Sequence, residues 1–93
     1  MANNKSAKKR IKINHRNRLK NRFYKSSVKT LTKVFLKNLE NYKISQDSNE
    51  KEKIQEILKS IYSLLDKGTK KNVFHRNSAA RKKSRLANSL KLV

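Results

Sequence analysis

The sequence predicts an all-α protein: a three-helix bundle whose extended first helix projects beyond it. Helix breakers are nearly absent, since the chain has no proline and a single glycine, Gly68. Apolar residues recur at three- and four-residue spacing in two well-separated stretches. With 93 residues of uniform composition, the chain has room for one domain and one modest core.

The first helix is expected from Lys5 or Ser6 to about Lys43. In its second half Tyr24, Val28, Leu31, Phe35, Leu39 and Tyr42 fall on one stripe about 80° wide at about 100° per residue. Before Tyr24 the apolar residues are Ile11, Ile13, Leu19 and Phe23, which point in scattered directions. The second helix is expected to start at Asp47 or Ser48. There Asp47 and Glu50 resemble a capping box and set acids at the positive end of the helix dipole. Its face of Ile54, Ile57, Leu58, Ile61, Leu64 and Leu65 is the strongest apolar pattern in the chain, and Lys67-Gly68 reads as a stop. The third helix, about Phe74 to Leu90, has a weak core strip of Ala79, Ala80, Leu86, Ala87 and Leu90. Arg76 and Lys83 share that sector and can snorkel outward.

Lengths sort these pieces. The second helix and residues 24–43 each span roughly 30 Å and therefore pair. Residues 1–23 are left without a helix to cover them, and form an arm that is expected to be disordered alone and to fold on its partner.

Charge identifies the kind of partner. Lys and Arg outnumber Asp and Glu by 26 to 6, for a formal net charge of +20. Residues 1–31 hold 11 basic and no acidic groups, residues 66–93 hold 9 and 1, and the middle holds 6 and 5. Such lopsided charge calls for a polyanion. Without cysteine the chain has no disulfide or thiolate metal site, and its two histidines are sixty positions apart, so no metal or cofactor is expected. No apolar run approaches the ~20 residues of a membrane span and no secretory leader is evident, so a soluble protein that stays in its compartment is expected. The six acids lie between Glu40 and Asp66, and no glycine-rich phosphate loop is present. No enzyme activity and no small-molecule substrate are expected.

Three stretches are candidates for nucleic-acid contact. In the arm, Lys5, Lys8, Lys9, Arg10, Lys12 and Arg16 stand among Asn3, Ser6, Asn14, His15 and Asn17, which add hydrogen-bonding groups for phosphate and sugar oxygens. Arg18, Arg22, Lys25, Lys29 and Lys33 make a ridge about 120° around the helix from the apolar stripe. An ordinary solvated lysine face would be interleaved with glutamate, and this one has none. In the third helix Arg81, Lys82 and Arg85 lie away from the core strip, near His75, Arg76, Asn77 and Ser78 at the helix start, where backbone N–H groups favour phosphate. His75 alone is more often a capping residue. Tyr24, Phe35 and Tyr42 fall in the core stripe, while Phe23, Tyr62 and Phe74 are open between core and stacking; shape and phosphate recognition, rather than base stacking, is therefore the main mechanism expected.

Two segments carry a family resemblance. Ala2-Asn3-Asn4-Lys5-Ser6-Ala7-Lys8-Lys9-Arg10, and His75-Arg76-Asn77-Ser78-Ala79-Ala80-Arg81-Lys82-Lys83-Ser84-Arg85-Leu86, resemble in order and spacing the bacterial-type small-subunit ribosomal protein twenty. Asn17-Arg18 and Lys25-Ser26 with Lys29-Thr30 are similar too, and the likeness is weakest from Asn41 to Glu56. The resemblance implies a three-helix bundle whose long first helix reaches into small-subunit rRNA, at its 5′ domain and its long penultimate stem, and which aids assembly. It implies RNA contact by Lys5 to Arg22 and by His75 to Arg85, with Lys83 among them, other small-subunit proteins nearby, and no self-association. Where the family usually has glycine before Val-Phe-His this chain has Asn72, while Gly68 stands where a helix former is usual. The second helix is therefore expected to run past Gly68 to about Lys71. Abundant Lys, Asn and Ile suggest an AT-rich genome, plastid or bacterial.

Two rivals suit the same composition. A nucleoid-type DNA-binding protein would lack preference for structured RNA. A cationic membrane-surface helix would need a free apolar stripe, whereas the second helix demands one as its packing partner.

Overall fold

The computed structural model describes residues 5–93, which form three helices: α1 (Lys5–Ser45), α2 (Ser48–Lys70) and α3 (Arg76–Lys91). Helix α1 has 41 residues, about 61 Å of α-helix, and accounts for the 62 Å long axis of the molecule. The radius of gyration, 17.9 Å, exceeds the ~12 Å of a compact chain this long because the arm stands clear of the bundle. Residues 5–23 of the arm form the continuous first half of α1.

A tight reversal sets α2 against the second half of α1. Gln46 takes a left-handed conformation (φ 54°) and its N–H bonds the Tyr42 carbonyl at 2.9 Å, closing α1. Asp47 then caps α2 through its side chain, which accepts from the Asn49 N–H at 3.0 Å. The reciprocal half of the expected capping box is not made, because the Glu50 carboxylate accepts from the Ser45 hydroxyl at 2.5 Å instead and so ties α2 back to α1.

The core joins Val28, Phe35, Leu39 and Tyr42 of α1 to Ile54, Ile61 and Leu65 of α2 and to Ala79 and Leu86 of α3. Leu31, Ile57, Leu58 and Leu64 lie half-buried at its margin, and Ala80 is exposed. Leu31 and Leu64 border an open depression with Ser26, Ser27 and Thr30 on the α1–α2 seam, while α3 packs chiefly on α2 and only lightly on α1.

Helix α2 runs through Gly68 and ends at Lys70. Asn72 takes the left-handed position (φ 61°), and the Val73 and Asn72 N–H groups bond the Gly68 and Thr69 carbonyls at 2.8 and 3.1 Å. This paired pattern satisfies the last carbonyls of the helix. Phe74 is not the first residue of α3. The helix begins at Arg76, because His75 is its cap: the Nδ1 lone pair accepts from the Asn77 N–H at 3.2 Å.

Freed from the helix, the Phe74 ring folds onto Gly68, where a Cβ would come within 2.5 Å of the ring carbons. Glycine is thus kept inside α2 for close approach, against its unfavourable helix propensity. Gly68→Ala gains about 1 kcal/mol of propensity but forces the ring out of a packed site, at about 1–3 kcal/mol. The expected result is a lower melting temperature despite the better helix former, recovered in Gly68→Ala/Phe74→Leu; a higher melting temperature for the single variant would contradict this packing.

Candidate nucleic-acid interface

The arm owes its availability to composition. A helix without an apolar face cannot be recruited to a core, and every side chain from Lys8 to Leu19 is exposed. No acid lies in its first turn, so Lys8, Lys9 and Arg10 crowd the positive end of the helix dipole. That arrangement is destabilising in isolation and suited to an anion. Lys5, Ser6, Lys12, Asn14, His15, Arg16 and Asn17 share this exposed surface. Asn3 lies outside the described residues.

The ridge continues from arm to bundle, with Arg18, Arg22, Lys25, Lys29 and Lys33 all exposed on one side of α1. By sequence, the ridge and the third helix are separate candidate stretches. The structure instead brings the lower part of the ridge and the cations of α3 onto one trough. Because α3 leans on α2, the cleft between α1 and α3 stays open. One depression of about 270 Å³ is lined by Lys25 and Lys29 on α1 and by Ser78 and Lys82 on α3, over a floor that includes Val28 and Leu65. The next, about 510 Å³, is lined by Thr32, Ser78, Arg81, Lys82, Arg85 and Leu86. Cations held this close repel one another, so the trough is a place where a phosphate chain relieves strain and a neutral ligand does not.

Lys83 departs from the other basic residues of α3. Its ammonium is paired with Asp66 and lies 5.4 Å above the Tyr62 ring, while the Tyr62 hydroxyl donates to the Lys83 carbonyl at 2.9 Å. It fastens α3 to α2 rather than facing the trough. His75 spends Nδ1 on capping, and its exposed ring, with Arg76 and Asn77, sits at the start of α3. Phe23, which the sequence left open between core and stacking, is exposed outside the core stripe, whereas Thr32 was not singled out by sequence and only the open α1–α3 cleft reveals it.

Among the described residues no group of His, Asp or Glu could hold a metal ion, and no helix is long and apolar enough to cross a membrane.

Known proteins are similar to this chain over nearly its whole length. A chain from Phaeodactylum tricornutum named small ribosomal subunit protein bS20c is 73% identical over 92 residues, 99% of each chain. One of the same name from Trieres chinensis is 66% identical over the same length. The small ribosomal subunit protein bS20 of Prochlorococcus marinus (strain MIT 9515) is 56% identical over 86 residues, 92% of this chain and 89% of its own. The family model described as ribosomal protein S20 matches residues 2–91, spanning arm, trough and all three helices, and the chain therefore belongs to the ribosomal protein S20 family.

Proposed function

We propose that this chain is a structural constituent of the small ribosomal subunit, in a bacterium or a plastid, that binds small-subunit rRNA at its 5′ domain and penultimate stem and supports assembly. One observation carries the reading: an acid-free cationic surface runs from the exposed arm along the ridge into a trough walled by α1 and α3. The arm lies along one RNA segment while the trough holds the backbone of another, so the protein keeps separate segments in register. Its side chains act as point charges and hydrogen-bond donors to phosphate and sugar, not as a catalyst. Other small-subunit proteins are neighbours, and self-association is disfavoured by a charge of +20.

Competition between a 5′-domain rRNA fragment and duplex DNA of equal length at fixed salt tests this. The rRNA should win by at least about tenfold, whereas equal binding would favour the nucleoid reading.

A further inference from the structure

Phe23 is the one exposed aromatic residue among those described in α1 and α2, with 59% of its surface accessible at the junction of arm and bundle. The ring is held in place: its edge contact with Tyr24 has centroids 5.3 Å apart and planes at 81°, and Tyr24 is itself buried. At about 100° per residue Phe23 points away from both the core stripe and the cationic ridge, onto a third face of α1. On that face Arg16, Lys20 and the exposed Leu19 lie toward the arm and Ser27 and Thr30 toward the bundle. The hydroxyls of Thr32, Ser60, Thr69 and Ser89 each donate to the carbonyl four residues back, but those of Ser27 and Thr30 make no hydrogen bond among the described residues.

We propose that Phe23 is a stacking platform for one unpaired base of the bound RNA. The phosphate of that nucleotide faces Arg16 and Lys20, and its sugar or base edge faces Ser27 and Thr30. The assignment rests on the rRNA-binding reading and adds a contact that reads an unstacked nucleotide rather than backbone shape. Charge decides between occupants. An apolar protein surface seated here would have to bury the flanking cations unpaired, because no acid precedes Glu40. A nucleotide supplies a π-face and a phosphate together.

The chain contains no tryptophan, so Phe23→Trp gives a single clean emission signal. Titrating that full-length variant with the 5′-domain rRNA fragment should quench it, as base stacking does. Phe23→Leu, which keeps apolar bulk but offers no ring, should bind the fragment about 5- to 100-fold more weakly. Circular-dichroism melting of each variant reports the fold separately. Unquenched tryptophan at saturating RNA, or Phe23→Leu binding as tightly as the parent, overturns the platform. So does emission that answers only to added small-subunit proteins. If the parent chain itself fails to bind the fragment, the rRNA-binding reading has failed instead.

Discussion

Raising monovalent salt from 50 to 200 mM is expected to weaken binding of the chain to its rRNA by about 10³- to 10⁵-fold, the loss for six to ten neutralised phosphates. The geometry supplies more than enough cations for that count. Lys5, Lys8, Lys9, Arg10, Lys12, Arg16, Arg18 and Arg22 stand exposed along the arm, and Lys25, Lys29, Arg81, Lys82 and Arg85 wall the trough. No acid on the same surface offsets them, so each RNA contact releases counterions that added salt returns. Two neighbouring lysines calibrate the effect. Lys82→Ala removes a cation from the trough and should lower the slope of log K against log[salt] by about 1. Lys83→Ala removes one that is already paired with Asp66. It should leave the slope nearly unchanged and cost no more than about 1 kcal/mol of stability, as partly exposed ion pairs do. A parent slope equivalent to one or two contacts would contradict an extended cationic interface.

What the sequence disclosed, and what it hid, follows from the range of each interaction. The Tyr24-to-Tyr42 stripe and the Ile54-to-Leu65 face were legible because helical periodicity reports which side of an element is apolar. It does not report which neighbour covers that side, and for this reason the half-burial of Leu31 and Leu64 and the exposure of Ala80 needed the structure. Local caps were partly legible. Asp47 and Asn72 do what their side-chain chemistry suggests, but Glu50 prefers the Ser45 hydroxyl across the turn, and His75 displaces Phe74 from the third helix by becoming its cap. The role of Gly68 was hidden because it depends on a ring six residues away that folds back only after α2 has ended. For the candidate interface, the exposure of the basic residues could be read directly. Their union into one trough depends on α3 leaning on α2, a packing choice that helical periodicity does not specify. Lys83 illustrates the same limit: spacing placed it in the core sector of the third helix with room to snorkel, and only the structure shows that its ammonium ends on Asp66 and Tyr62.

Phe35→Ala is expected to unfold the free chain and to be rescued by rRNA. Phe35 is fully buried, in contact with the core of all three helices, and truncating a phenylalanine in such a site costs about 3–5 kcal/mol. A domain this small has little more than that to lose, and here it also carries the mutual repulsion of its uncompensated cations. The bundle should therefore melt below room temperature, with most of the helical circular-dichroism signal lost. Leu36→Ala, one position along the same helix but 46% exposed, should change stability by no more than about 1 kcal/mol. It separates loss of the core from loss of helix propensity. RNA present at about 1,000 times its dissociation constant adds about 4 kcal/mol to the folded state by mass action. That is comparable to the deficit, so saturating rRNA should restore helicity to Phe35→Ala at low salt and fail to do so at 200 mM. The coupling follows from the architecture. The trough exists only while α1 and α3 are both docked on α2, so a ligand that spans it binds the folded bundle and leaves the unfolded chain with nonspecific attraction alone. A Phe35→Ala chain that melts like the parent without RNA would show that the core is not what holds the trough together. One that stays unfolded in saturating rRNA at low salt would show that the trough is not where RNA binding and folding meet.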